Sequence, residues 1–539
     1  MGRGLNVRHW HLWILMAIIL WSSVDAQYVR RSQFPTEHAR RMQYRLDDWI
    51  SIMPAHFFTS IAIGTNYIYF SSLDGGIWRY NLYQNEWDFP FTTSNGLPSN
   101  RVFQVVYDAA QNILWAITDV DTAIFDFAAE EWKSRKEMPF WNYRFPQKSL
   151  PDSGTSLPRN QFLPRRYLKK LPIFVPEGDF SLDADWKLTD AHLREFPITG
   201  FLIDDWERIW FLVEGFGLGL GNMLQQRARF FPLGLANIHP RVVQFQEDDL
   251  WIGGITAGVV SALGVPESNT LKGIVRWRNQ DGGWQYYDAR FISRLFSDQV
   301  TAMATTQNSI WFGTDYGVTR YDISQKSWQT FYVKQGLYSN QVRDVLVAGT
   351  NVWVATDEGL NVIDRLTGQV KKIRYKWLRQ YPVYRLALQG DTLWVAAFAG
   401  IFRRFPDTGK WQKLKTEAAL NDQMVTAIGY YKGELWFATA QGVIRYHIAR
   451  DDWESFPQLQ TEGLGRMWHL VVDSAAVWIA TDAGLLKFDR KRQYWKLFTT
   501  DDGLLDNRCR YVLLNGDYLW IATDSGITQF YWNSSARID

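Results

Sequence analysis

The sequence predicts an all-β chain of four-stranded blades, a β-propeller, and three observations carry that expectation. An apolar-Trp-apolar strand recurs at a near-constant spacing, a shared turn follows several copies, and a second Trp and an Asn-bearing loop recur after them in the same order. Four short strands in a repeat of about 42 residues describe a propeller blade.

The strand and its turn read most clearly as Ile310-Trp311-Phe312-Gly313-Thr314-Asp315-Tyr316-Gly317-Val318. Equivalent strands centre on Trp353, Trp394, Trp436, Trp478 and Trp520, at steps of 41 or 42 residues. Earlier copies centre on Tyr69, Trp115, Trp210 and Trp251, which makes ten clear copies. Thr-Asp-x-Gly follows at Thr314 to Gly317, Thr356 to Gly359, Thr481 to Gly484 and Thr523 to Gly526. Asp accepts hydrogen bonds from nearby backbone amides, and Gly supplies the positive φ of a tight hairpin. The second Trp stands at 87, 132, 284, 328, 411, 453 and 495. A loop then runs Gly96-Leu97-Pro98-Ser99-Asn100-Arg101-Val102, and recurs at Gly336 to Val342 and Gly503 to Cys509. An apolar strand such as Val342 to Val347 leads into the next hairpin. A parallel βαβ solenoid is excluded, because no amphipathic segment of helical length fits between the strands.

Trp115 and Trp210 lie 95 residues apart, and Trp186 falls at an outer-strand position between them. A degenerate blade near Arg165 to Phe180 is therefore expected, giving ten or eleven units. That exceeds the usual four to eight blades of one ring. Either the seven units from Trp251 to Trp520 close as one seven-bladed ring beside a smaller one, or all units form a single large ring. In the first arrangement Arg227 to Phe231 supplies the outer closing strand of the seven. Asp47 to Ser51 reads as an orphan outer strand that completes the last unit and joins the chain ends. The expected divisions are a signal peptide at 1–26, N-terminal blades at 27–227 with a Pro-rich basic insertion at 137–180, and C-terminal blades at 228–539. A second insertion, at 254–272, is expected to extend a hairpin.

Composition narrows the function classes. Hydrophobic residues make up 46% and charged ones 21%, a globular balance. The net charge of +2 gives no basic excess for nucleic acid. The single Cys509 forbids an intramolecular disulfide and takes a position that other repeats fill with Val102 and Val342, so it reads as core. Arg3 and Arg8, the apolar run Trp10 to Trp21 and Val24-Asp25-Ala26 make a secretory signal; twelve apolar residues fall short of a spanning helix. No membrane span is expected after cleavage, and the location is periplasmic or extracellular. The 28 Trp suit either strand packing or sugar stacking.

The run Leu519 to Ile527 (Leu-Trp-Ile-Ala-Thr-Asp-Ser-Gly-Ile) and the loop Gly96 to Val102 resemble the two-component regulator propeller repeat, over most of residues 60–530. Members are typically periplasmic sensor regions of bacterial hybrid histidine kinases, where tandem propellers detect ligands that are often glycan fragments. The resemblance implies the fold, a bacterial envelope setting and a recognition role. After Trp520 this chain carries no transmembrane or kinase segment, so autonomous signalling is not implied.

The loop into each inner strand and the turn of the following hairpin open on one face of a propeller. Asp315, Asp357, Asp482, Asp524, Asn100, Asn340 and Asn507 stand in those turns and loops. A repeat uses such residues first to build itself, so departures from the pattern point better to a ligand: Arg101, Arg466, His469 and Arg508. Asn100, Arg101, Asn340, Arg466, His469, Asn507 and Arg508 make the ligand-binding set. Arg159, Arg165, Arg166, Lys169 and Lys170, in the basic insertion, make a partner-docking set.

Catalytic motifs fail. Ser72 to Trp78 only partly matches a sialidase Asp-box, and Asp364 to Gly368 is one isolated copy of a quinoprotein-like pattern. The six histidines after residue 26 are His38, His56, His192, His239, His447 and His469, without metal-ligand spacing. Gly215, Gly217, Gly219 and Gly221 alternate as in a crowded hairpin and do not match a nucleotide loop. No catalytic residue, metal or cofactor is expected. The reading is a non-catalytic exported propeller that recognises a glycan or an envelope protein, sensor-like or as an assembly component. The alternative is a propeller hydrolase or lyase acting on polysaccharide.

Overall fold

The computed structural model describes residues 29–30, 36–136, 138, 140, 142–146, 157–257, 270–415, 424–440, 442–456, 459, 463–535 and 537. The expected signal segment and the centre of the 254–272 insertion lie outside the described residues. The chain is all-β, and its described strands form eleven sheets: the short pair of Pro54–Ala55 with Leu233–Gly234, and ten each built on a four-stranded antiparallel unit. We number these ten I (58–91), II (102–134), III (195–231), IV (238–287), V (300–331), VI (342–372), VII (383–413), VIII (425–456), IX (467–498) and X (509–531). This is the construction of a β-propeller. The five-residue Glu37–Arg41 is the one α-helix among the described residues.

The repeat builds each sheet by one set of bonds. The tyrosine or tryptophan of each copy sits in the second strand, and all ten are at most 4% exposed. In the turn, the Thr314 hydroxyl donates to the Gly317 carbonyl at 2.9 Å, and Thr356, Thr481 and Thr523 repeat the bond. Gly317 has φ +99°, and a Cβ there would lie 2.2 Å from the Phe331 carbonyl oxygen, so only glycine fits. Loops knit consecutive sheets together: the Gly317 amide donates to Asn340 of the next loop at 2.7 Å, as Gly76 does to Asn100 at 2.9 Å.

Inner strands of sheets IV to X pack each on the next, and that of X packs back on that of IV. Apolar clusters follow the same cycle: Trp311 of V sits among Val342, Val345 and Val354 of VI, and Trp520 of X among Val243, Leu250 and Ile252 of IV. The last sheet takes its outer strand from the N-terminus, as expected. Trp49–Ile52 pairs antiparallel with Ile527–Tyr531, and the Trp49 ring stacks on Phe530 at 3.8 Å. Val29–Arg30 adds a parallel strand to the edge of IX.

The first three sheets are arranged differently. Trp210 of III packs on Phe70, Tyr80 and Trp87 of I, and Tyr69 of I packs among Val102, Val105 and Leu114 of II, so the spatial order is III–I–II. Two expectations are corrected here. Arg227–Phe231 does not close the seven; it pairs with Gly217–Asn222 as the outer strand of III. Nor is there a degenerate blade near Arg165 to Phe180. That stretch is a 3-10 helix, Arg165–Lys170, flanked by two-residue strands, and Trp186 stands in a turn at φ +59° rather than in an outer strand. Its apolar residues Tyr167, Leu168, Leu171 and Phe174 cover the free face of III, while Tyr143 and Phe145 cover Trp115 on the free face of II. An apolar sheet face without a neighbouring blade must be covered in some other way. The insertion does that.

Candidate functional site

The seven inner strands of sheets IV to X converge on a cavity of about 650 Å³, to which every one of them contributes lining residues. Each strand carries a β-bulge near its start, at its second residue in sheets V to X and at its fourth in sheet IV, and the bulged residue is left outside the ladder. Around the cycle the bulged residues are Arg241, Thr301, Arg343, Tyr384, Thr426, Trp468 and Arg510. In sheets I to III they are Thr59, Phe103 and Thr199.

Threonine at this position builds the fold. The Thr301 hydroxyl lies 3.2 Å from the Gly313 carbonyl of its own sheet and 2.8 Å from the Val342 carbonyl of the next, and Thr59 makes the same pair with Ser71 and Val102. Arg, Tyr and Trp abandon that bond: Arg241, Arg343, Trp468 and Arg510 line the cavity, and Tyr384 is buried with the Arg343 guanidinium over its ring. Bulges re-aim side chains next to sites in this way.

Arg241, Trp468 and Arg510 form one network. Two guanidiniums lie over the Trp468 ring, Arg466 at 4.1 Å and Arg510 at 4.5 Å from its centre, and its indole N–H donates to Asp482 at 2.8 Å. Such cation–π contacts hold both partners in place. Arg510 donates to Asp482 at 2.7 Å and to Asp524 at 2.6 and 2.7 Å; Arg241 reaches the same Asp524 at 2.7 Å. These bonds, against an opposing burial effect, hold the Asp524 carboxyl well below the usual carboxylate range. Arg343 pairs with Asp357. His469 stacks on Tyr511 at 3.8 Å, and burial, aided by the Arg385 charge, lowers it to about 3, so the imidazole is neutral. Asp344 is pushed upward by burial, although its two oxygens accept the amides of Val345 at 3.0 Å and Leu386 at 2.8 Å.

Of the sequence-predicted set, Arg466 and His469 line this cavity. Asn100, Asn340 and Asn507 are engaged in their own loops, each accepting a backbone amide seven residues upstream, from Thr93, Val333 and Thr500 at 2.7 to 2.9 Å. Arg508 is exposed, 3.4 Å from Asp506 and Asp524. Arg101 belongs to sheet II, where it lies over Phe103 and lines a groove at the junction of the two groups of sheets. In the basic insertion, Arg159 pairs with Glu207, Arg165 donates to the Asp185 carbonyl at 2.9 Å, and Arg166 and Lys170 lie over Tyr167. Lys169 is exposed at the end of the 3-10 helix.

Sequence reasoning missed Arg241, Arg343, Arg385, Trp468, Arg510 and Tyr511. The signal was present: in the loops that carry Asn340 and Asn507, the bulged residue falls three positions after the asparagine, and that column departs from Thr.

Comparison with known proteins adds a fold likeness. No family model matches the chain, and no curated protein matches it. Among solved structures, the chain is similar to the extracellular domain of a protein assigned as a hybrid two-component system in B. thetaiotaomicron, at 14% identity and TM-score 0.45, over 89% of this chain and 70% of that one. A second such extracellular domain from B. thetaiotaomicron gives 14% identity and TM-score 0.41, over 88% and 75%. PorZ, a surface component of the type-IX secretion system of Porphyromonas gingivalis, gives 12% identity and TM-score 0.32, over 90% and 87%. Likenesses at this level leave the function of the cavity to its own chemistry.

Proposed function

We propose that this chain is an exported, non-catalytic β-propeller that recognises a glycan through the cavity among sheets IV to X. In this reading those seven sheets are the blades of one ring, closed by Trp49–Ile52, and sheets I to III are an incomplete second arc. No described helix is long and apolar enough to cross a membrane. The expected signal segment supplies the export, with a periplasmic or extracellular destination.

One observation carries the reading. At the bulge, where Thr makes the fold-building bond, five of the seven sheets instead carry Arg, Tyr or Trp. Arginines, paired carboxylates and flat aromatic rings at the mouth of a pocket are the groups that hold a polyhydroxylated ring: donors, acceptors and a stacking surface. Among the described cavity residues the carboxylates are engaged within the protein, which favours recognition over turnover. A glycosidase uses one carboxyl to give a proton and a second as base or nucleophile. Here Asp357, Asp482 and Asp524 are held by arginines, Asp344 by two backbone amides, and His469 is kept neutral.

The test is glycan-array binding by the full chain, combined with a reducing-end release assay on every glycan bound. Binding without release, abolished in Trp468→Ala, is the expected result. Release of new reducing ends would replace this reading with the polysaccharide-cleaving alternative. Capture of an envelope protein by the same face, with no glycan bound, would replace the ligand class.

A further inference from the structure

The carboxylates around the cavity are unevenly placed. The turn that follows each inner hairpin offers Asp315 in sheet V, Asp357 in VI, Asp482 in IX and Asp524 in X. In VII and VIII the same position holds Phe398 and Ala440. Asp357, Asp482 and Asp524 hold Arg343, Arg510 and Arg241. Two further guanidiniums line the cavity, Arg385 from VII, where the acid is missing, and Arg466 at the entry to IX. Among the described residues neither has a carboxylate within 4.0 Å. Arg385 donates to the Arg343 and Tyr384 carbonyls, both at 2.9 Å, and Arg466 lies on the Trp468 ring. Resting on the recognition reading above, we propose that Arg385 and Arg466 form an anion subsite, which takes the carboxylate, sulfate or phosphate group of an acidic sugar.

Arg385 and Arg466 share one cavity, and neither guanidinium is ion-paired among the described residues. Burial lowers Arg466, and the Arg385, Arg343 and Arg510 charges lower it further, against Asp482 alone. Asp344 also faces Arg385, but its oxygens are bonded to backbone amides. A guanidinium fork presents paired N–H groups that match a planar or tetrahedral oxyanion, so an anion satisfies both the charge and the open donors. On the same sheet VII, Phe398 is 63% exposed and its ring stacks on Tyr381. That pair gives an aromatic step on the acid-free side, suited to the next sugar along the chain.

The experiment measures binding of the full chain to polygalacturonate (carboxylate), dextran sulfate (sulfate), phosphomannan (phosphate) and neutral dextran, by tryptophan fluorescence and calorimetry. At least one acidic polymer is expected to bind ten-fold or more tightly than dextran, and Arg385→Gln and Arg466→Gln are each expected to lose ten-fold or more of that affinity. Arg227→Gln, on the exposed outer strand of sheet III, should leave it unchanged. Thermal midpoints of the variants within about 3 °C of the parent keep a folding defect from imitating the result. Equal binding of dextran and the acidic polymers, abolished by Trp468→Ala, would overturn the anion subsite and leave glycan recognition standing. Acidic binding that falls with Arg227→Gln but not with Arg385→Gln or Arg466→Gln would also overturn it, as general surface attraction. Binding of no polymer and no array glycan would overturn both readings.

Discussion

Sheets I to III and sheets IV to X come from one repeat, yet the two groups solve the same packing problem differently. The repeat leaves an apolar face on each side of every sheet. In the group of seven, each face meets the next sheet and the last meets the first, so no face is left over. In the group of three, two faces are left over, and the Pro-rich insertion covers them with Tyr143, Phe145, Tyr167, Leu168 and Phe174. The bulge column differs as well: Thr59, Phe103 and Thr199 in the three, against three arginines, a tyrosine and a tryptophan among the seven. Scaffold residues persist where the sheet only has to pack. Departures gather where seven strands enclose a cavity.

The largest expected effect comes from removing what closes the seven. Deletion of residues 27–55 takes away the outer strand of sheet X and the Trp49–Phe530 stack. Loss of the buried Trp49 ring alone is worth about 3–5 kcal/mol, and the unpaired edge of X adds to it. Failure to purify a folded chain, or a collapse of the thermal midpoint by circular dichroism, is expected; a parent-like midpoint would show that the cycle does not depend on this strand.

Next in size is the cover of the three. Leu168 is 1% exposed in the apolar layer over sheet III, and Leu168→Ala is expected to cost about 2–5 kcal/mol. The cost should be local. Hydrogen exchange should show protection lost in residues 195–231 and kept in residues 342–372. Equal loss in both would mean that the two groups unfold as one unit.

Smaller again is the effect of pH at the junction. His56 is 3% exposed, edge-on to Tyr286 of sheet IV, and its carbonyl accepts the Gly215 amide of III at 2.8 Å. Burial lowers its pKa from 6.5 to about 3. A depressed folded-state value means that its stability contribution is complete above pH 6.5 and is lost as pH falls from 6.5 toward 3. At pH 5 that loss is about 2 kcal/mol. The parent should lose more stability to chemical denaturation between pH 7.5 and pH 5 than His56→Phe; identical slopes would contradict the assignment.

The fold was legible because its cause is local. Trp311, the Thr314–Gly317 turn and the Asn340 loop each satisfy their own backbone within one repeat, so the pattern survives in the sequence. The exceptions involve partners far apart in the chain. Nothing local to Arg227–Phe231 tells whether it closes the seven or edges sheet III. The segment 165–180 read as a worn blade because an apolar cover and an apolar strand have similar composition. At the site, Arg466 and His469 were reachable as departures near a loop, whereas Asn340 and Asn507 turned out to be loop bonds common to the repeat. Arg343 and Arg510 stayed hidden because a bulge shifts the face on which a residue appears, and strict alternation places it wrongly.

The central claim is that the bulge column separates scaffold from recognition, and one paired measurement tests it. Thr301→Val and Trp468→Thr are compared for thermal stability and for affinity to the strongest array glycan. The account predicts that Thr301→Val loses about 1–2 kcal/mol of stability with affinity kept, through two carbonyls left without their donor. Trp468→Thr should keep the parent's midpoint within about 2 °C and lose ten-fold or more in affinity. A Trp468→Thr chain that binds as tightly as the parent would contradict it.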